Sequence, residues 1–253
     1  MKNEEFYIPC DGMRVHAKLN FPEGAADKLP ILVLIPGLTG HIEEEHILAA
    51  MKTANDLGFA VLRAELYGHG ASEGDFFNHT VLHWMVQSMR VIDYARQLPF
   101  VTDLYLAGHS QGGLLVVLTA GLMADRIKAL IPMAPAMMIP EAARTGEILR
   151  GMGDLEHLPE SYKVFGTHPI STNYMRAARV LPVRECIDMY RGPVCIIHGT
   201  GDTCVPYACG EWLAEQYEGA KLRSIPEADH CYEGHIEEMQ EALRGFLAEM
   251  VMK

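Results

Sequence analysis

A doubly wound, mostly parallel α/β sheet is the fold class that the sequence predicts, and three observations predict it. Short apolar runs alternate with helix-length segments along nearly the whole chain. Leu29–Ile35 reads Leu-Pro-Ile-Leu-Val-Leu-Ile, apolar without alternation, as in a parallel strand covered on both faces. Gly108-His109-Ser110-Gln111-Gly112-Gly113 falls between an apolar run and a long apolar segment, where a strand turns sharply into a helix. Such alternation implies right-handed crossovers and helices on both faces. With 49% hydrophobic residues in 253, the chain can fill one large core, so residues 1–253 read as a single domain with a small inserted segment.

In chain order, residues 6–21 alternate weakly and break at Phe21-Pro22-Glu23-Gly24, an opening hairpin. Strand Leu29–Ile35 runs into the loop Pro36-Gly37-Leu38-Thr39-Gly40. Residues 43–57 form a helix with acidic residues in its first turn, where the helix dipole favours them. Residues 59–64 are the next strand and 68–74 a glycine-rich loop. Residues 79–98 are helical and closed by Pro99. Strand 103–107 leads into the glycine-serine stretch, and 114–124 is too long and apolar for anything but a buried helix. Strand 127–133 follows. Residues 135–190 break the rhythm with scattered Gly, Pro and Met and no clear strand, as in an insertion of short helices over the sheet. Alternation then resumes: strand 193–198, loop 199–206, helix 207–218, strand 221–225, loop 226–230 and helix 233–250.

Charge narrows the function classes. Lys and Arg number 21 against 33 Asp and Glu, a formal charge of −12, which offers no footprint for nucleic acid or anionic lipid. No apolar run approaches the roughly 18 residues of a membrane span, and the start carries no signal-peptide core. None of the six cysteines makes a C-x-x-C pair, so they read as reduced thiols in a cytoplasmic protein. A homodimer is compatible with the sequence. His41 and His46 superficially suggest a zinc motif. Their five-residue spacing would set them about 140° apart on a helix, so no metal is expected. No dinucleotide or phosphate loop occurs either, and no cofactor is implied.

The chemistry resides in the stretch around Ser110. A G-x-S-x-G turn lifts a serine hydroxyl above the sheet edge, and its glycines avoid Cβ collisions at a cramped bend. A serine is a poor nucleophile, so it needs a base, and the base needs a carboxylate to fix its tautomer. Sites of this fold class lie at the carboxyl ends of the strands. Asp202, in Gly199-Thr200-Gly201-Asp202, and His230, in Ala228-Asp229-His230, each follow a late strand and complete the order Ser, Asp, His. Rival residues fit less well. His109 adjoins Ser110 and should pack under the turn, His235 falls within the last helix, His198 should brace a loop, and Asp229 adjoins the histidine it would serve. The amides of Gln111 and Leu38 are the expected oxyanion hole.

With Gly108-His109-Ser110-Gln111-Gly112-Gly113, Gly68-His69-Gly70-Ala71-Ser72, Ile197-His198-Gly199-Thr200-Gly201-Asp202 and Ala228-Asp229-His230-Cys231, the chain resembles the α/β-hydrolases, more closely the bacterial feruloyl (cinnamoyl) esterases. The likeness runs from about residue 28 to the final helix. It includes Met133-Ala134-Pro135-Ala136 and Asn173-Tyr174-Met175-Arg176. The resemblance implies that 135–190 forms a lid and that Tyr174 helps to hold the phenolic end of an acyl group. It also implies a serine carboxylesterase acting on small-molecule hydroxycinnamate esters. Two departures stand out: no acidic lid residue matches cleanly, Glu141 being merely nearby, and Pro36-Gly37-Leu38 stands where these esterases usually have His-Gly-Phe. Esterases, thioesterases and monoacylglycerol lipases for aliphatic acyl groups remain open, as does a hydrolase-fold binding protein without catalysis.

Overall fold

A computed structural model describes residues 2–148, 151–152 and 154–252. Strands β1 (Glu4–Cys10) and β2 (Met13–Asn20) form the opening hairpin, with Glu4 opposite Leu19 and Cys10 opposite Met13. Next come β3 (Leu29–Ile35), α1 (Glu45–Asp56), β4 (Ala60–Ala64), α2 (Val81–Gln97), β5 (Val101–His109), α3 (Gln111–Leu122) and β6 (Ala129–Met133). The inserted segment carries α4 (Ile139–Thr145), β7 (Glu147–Ile148), β8 (Gly151–Met152), β9 (Ser161–Val164), β10 (His168–Ser171), α5 (Asn173–Ala178) and α6 (Val183–Met189). β11 (Cys195–Gly199), α7 (Ala208–Gln216), β12 (Lys221–Ile225) and α8 (Ile236–Val251) complete the chain. Among the described residues the main sheet has eight strands in the order β1-β2-β4-β3-β5-β6-β11-β12. It is parallel from β4 to β12, and β2 pairs antiparallel with both β1 and β4.

The unbroken apolar runs are explained by burial on two faces. In β3, Ile31, Val33 and Ile35 join the core shared with α2, α3 and α6, whereas Leu32 and Leu34 face the core of α1 and α8. All five are fully buried, each worth roughly 1.5–3 kcal/mol. Helix α3 is buried from Gln111 through Gly121, as its apolar run required. Loops at the carboxyl ends of β3, β5, β11 and β12 consequently gather on one edge of the sheet.

The structure differs from the sequence reading at several elements. The insertion has strands after all: β9 and β10 form a hairpin with His168 opposite Val164, and β7 and β8 form a second. The strands β9 and β10 are short, polar and half-exposed and lack the apolar signature that marks a buried strand. Helix α6 packs against α3 so closely that a Cβ on Gly121 would lie 2.4 Å from the Cys186 Cα. Helix α3 starts at Gln111, because the turn that carries the serine is also the helix's first turn. Helix α8 starts only at Ile236, after a turn through Tyr232 at φ 60°, so His235 precedes the helix it was expected to lie in. His41 and His46 share no helix: His41 is exposed ahead of α1, and His46 is buried in its first turn.

One buried carboxylate braces the site edge. Glu65 accepts hydrogen bonds from the Ile42 amide (3.2 Å) and the Ala71 amide (2.7 Å), and it lies 2.8 Å from His16 Nδ1. It thereby ties the loop after β3 to the 68–74 loop.

Candidate active site

Ser110 sits at φ 58° and ψ −120°, a conformation costly for a non-glycine residue. Hydrogen bonds on both sides hold it there. Its amide donates to the Met133 carbonyl (2.9 Å), and its carbonyl accepts from Ala136 (3.0 Å) and Leu114 (3.1 Å). The flanking glycines permit the bend: a Cβ on Gly108 would lie 2.3 Å from the Gly112 carbonyl oxygen, and one on Gly112 2.4 Å from that of Pro36. The loop after β3 closes over the serine, for a Cβ on Gly37 would come within 2.9 Å of the Ser110 Cβ. Among the described residues, neither the Leu38 amide nor the Gln111 amide has an intramolecular acceptor. Gln111 is the first residue of α3, so its N–H is one of the helix's unsatisfied donors.

Asp202 is seated by four donors. Oδ1 accepts the Cys204 and Val205 amides at 2.7 and 2.8 Å, while Oδ2 faces His230 Nδ1 at 2.7 Å and His198 Nε2 at 3.3 Å. Burial pushes this carboxyl up, but hydrogen bonds from His198 and His230, the nearby His230 and the Val205 amide outweigh it. The group is held well below the usual carboxylate range. His230 is placed from the other side as well. The buried His109 donates from Nε2 to the His230 carbonyl (2.8 Å), and the two rings lie 4.6 Å apart. Since His109 precedes Ser110, this contact brings the loop after β12 to the serine. Burial keeps His109 uncharged and pushes His46, whose ring is 4.2 Å away, down to about 4.

A cavity of about 450 Å³ opens at Ser110, and Leu38, Gln111, Met138, Phe165, Tyr174 and Val205 are among its lining residues. Tyr174 is buried. Its hydroxyl donates to Gln111 Oε1 (2.7 Å), and Gln111 Nε2 lies 2.8 Å from His79 Nε2. Burial alone pushes the Tyr174 phenol up. Glu141 and Glu147 also line the cavity, and Glu141 is paired with Arg144 at 3.3 Å.

The structure thus brings together Ser110, Gln111, Leu38 and Tyr174 around one cavity, with the Asp202–His230 pair joined to the turn through His109. His109 lies under the turn, as expected. His235 is 3.5 Å from Glu238 and does not face Asp202. Sequence reasoning missed His79 and the contribution of Phe165 and Glu147. It also gave His198 only a loop-bracing part, although the spacing His-Gly-x-x-Asp puts its ring within reach of the carboxylate. Among the described residues no three His, Cys, Asp or Glu side chains gather as metal ligands.

A parallel sheet of this order with a serine on a strained strand-to-helix turn is the α/β-hydrolase architecture, and comparison with known proteins makes the class a serine ester hydrolase. The chain belongs to the family described as serine aminopeptidase, S33, which matches residues 26–174. It is 45% identical to Est1E from Butyrivibrio proteoclasticus in a structure with ferulic acid bound; that match covers 98% of this chain and 100% of the other, with a TM-score of 0.96. A second Est1E structure matches at 43% identity and a TM-score of 0.92, covering 98% of this chain and 99% of that one. The human mitochondrial palmitoyl-protein thioesterase ABHD10 is 23% identical over 197 residues, 75% of this chain, and the match spans 62% of that relative's length. No helix among the described residues is long and apolar enough to cross a membrane.

Proposed function

We propose that the protein is a serine carboxylesterase for hydroxycinnamate esters. The observation that carries this reading is the 45% identity over nearly the whole chain to Est1E in its ferulic acid complex. A mostly apolar cavity with Tyr174 in its wall, directly at Ser110, is consistent with an aromatic acyl group. In this reading Ser110 Oγ attacks the ester carbonyl while His230 takes its proton, and Asp202 holds the imidazole with Nδ1–H toward Oδ2. The Leu38 and Gln111 amides, both without another acceptor, stabilise the tetrahedral oxyanion at the positive end of α3. His230 then protonates the leaving alkoxide, and water resolves the acyl-enzyme by the same proton route. Residues 135–190 act as the lid, and six cysteines with no disulfide between them suit a cytoplasmic setting.

A hydrolysis panel tests the substrate class. Methyl ferulate and methyl p-coumarate should exceed nitrophenyl butyrate in kcat/KM, and palmitoyl-CoA should be poor. The reverse order would replace this reading with the acyl thioesterase activity named for the ABHD10 relative.

A further inference from the structure

Asp202 is shared between two imidazoles. His198, at the end of β11, is completely buried, and its Nε2 points at both Asp202 Oδ2 (3.3 Å) and the Val205 carbonyl (3.2 Å). Two acceptors at one nitrogen require the proton there, so Nε2–H is the donor. Nδ1 has no partner, and the Gly210 backbone packs against it so tightly that a Cβ on Gly210 would lie 2.6 Å away. No proton at Nδ1 could find an acceptor, so this tautomer is locked. Among the described residues the titratable groups around the pair include Tyr207 (ring 5.5 Å from His198) and Cys209 from the α7 side, Cys204 whose amide caps Asp202, Tyr232 and Cys231 behind the carboxylate, and His109, His46, Glu44 and Asp229 around His230.

We propose that His198 is a positioning residue of the reaction, a fixed second donor that divides the Asp202 carboxylate and so limits the basicity of His230. The physical reason is competition for one oxygen. Oδ2 receives both N–H groups, and each hydrogen bond withdraws negative charge that would otherwise stabilise protonated His230. A His230 with the undivided carboxylate would keep its proton to higher pH and serve as base over a narrower range. The division is unequal, 2.7 Å against 3.3 Å, so His198 tunes the pair without displacing it.

The inference rests on reading Ser110, Asp202 and His230 as the reacting set, and the test separates the two. The pH dependence of kcat/KM on a nitrophenyl ester is measured for wild type, His198→Leu and His198→Gln. Loss of the donor should move the acid limb up by ~0.5–1 pH unit, with plateau kcat reduced less than about tenfold. His198→Gln, whose amide reaches the Nε2 position, should return the limb toward wild type. If the Leu variant does not fold, His198→Asn, whose amide stops short of Oδ2, provides the same measurement. A lowered kcat with an unmoved acid limb, or no change at all, overturns the proposal. Full activity in Asp202→Asn would instead overturn the underlying assignment.

Discussion

Two of the carboxylate–histidine contacts have nearly equal distances and very different use. Asp202 and His230 meet at 2.7 Å, and Glu65 and His16 at 2.8 Å. Both carboxylates accept backbone amides besides the imidazole: Cys204 and Val205 in one case, Ile42 and Ala71 in the other. What separates them is the far side of the ring. His16 Nε2 is occupied by Glu5 at 2.8 Å, so both of its nitrogens are spent and it can serve no nucleophile. His230 has one nitrogen committed, remains partly exposed, and is joined through His109 to a turn that raises a serine into a cavity. A buried carboxylate–imidazole contact is therefore a brace or a base according to whether the second nitrogen is left over.

The sharpest way to break the comparison is to remove the serine proposed as nucleophile. Ser110→Ala should abolish ester hydrolysis, with a loss approaching ~10⁶-fold in kcat, and a fluorophosphonate probe should label wild type at Ser110 alone. Labelling elsewhere with activity intact in the variant contradicts the assignment. The two pairs are then compared directly by equivalent amide substitutions. Asp202→Asn should lower kcat by up to ~10⁴-fold because the imidazole adopts the wrong tautomer. Glu65→Gln should cost less than about tenfold in kcat, while lowering stability by roughly 1–3 kcal/mol as one of its buried donors loses its acceptor. Equal catalytic losses in the two variants would mean that Glu65 does more than hold the loop after β3.

A third prediction concerns the other histidines behind these pairs. His46 and His69 are buried, and burial lowers each from 6.5 to about 4. In the unfolded chain they take up protons below about pH 6.5, whereas in the folded protein they do so only near 4. Stability is thus lost as pH falls through that window, on the order of 3 kcal/mol for each residue. Thermal unfolding followed from pH 7 to 4.5 should show a steadily falling Tm. A flat profile would show that these rings are charged or solvated in the fold.

The fold was legible because burial on two faces leaves a pattern in the sequence. The run Leu29–Ile35 and the helix around Leu114–Leu118 could only be satisfied by a covered parallel sheet. The strand-to-helix turn was legible because the bend at Ser110, with its positive φ, leaves no room for a Cβ on Gly108 or Gly112, which would come within 2.3 or 2.4 Å of a carbonyl oxygen, and glycines are visible in a sequence. Asp202 and His230 could be nominated as partners because strand ends fix where such loops fall, and the structure places them 2.7 Å apart. The hairpin of β9 and β10 was not found, since its strands are short, polar and partly exposed. His79 and Glu65 could not be assigned either. Their partners lie 32 and 49 residues away along the chain, and no local spacing encodes a contact made only when distant loops meet.

The smallest expected effect concerns Tyr174, where the chain Tyr174–Gln111–His79 ties the cavity wall to the turn beside Ser110. The Tyr174 hydroxyl donates to Gln111 Oε1, which leaves its oxygen lone pairs able to accept from a phenolic O–H of the proposed hydroxycinnamate substrate. Removing one such neutral hydrogen bond costs about 0.5–1.5 kcal/mol, or roughly two- to tenfold in kcat/KM. Tyr174→Phe should therefore slow methyl ferulate by that factor and leave nitrophenyl butyrate, too short to reach the ring, nearly untouched. The same hydroxyl also steadies the Gln111 side chain, and the Gln111 amide is half of the expected oxyanion hole. Equal losses on both esters would accordingly show that Tyr174 acts through Gln111 on the chemistry, as Glu65 acts on its loops. No loss on either ester would remove Tyr174 from substrate binding and leave the phenol to another part of the cavity wall.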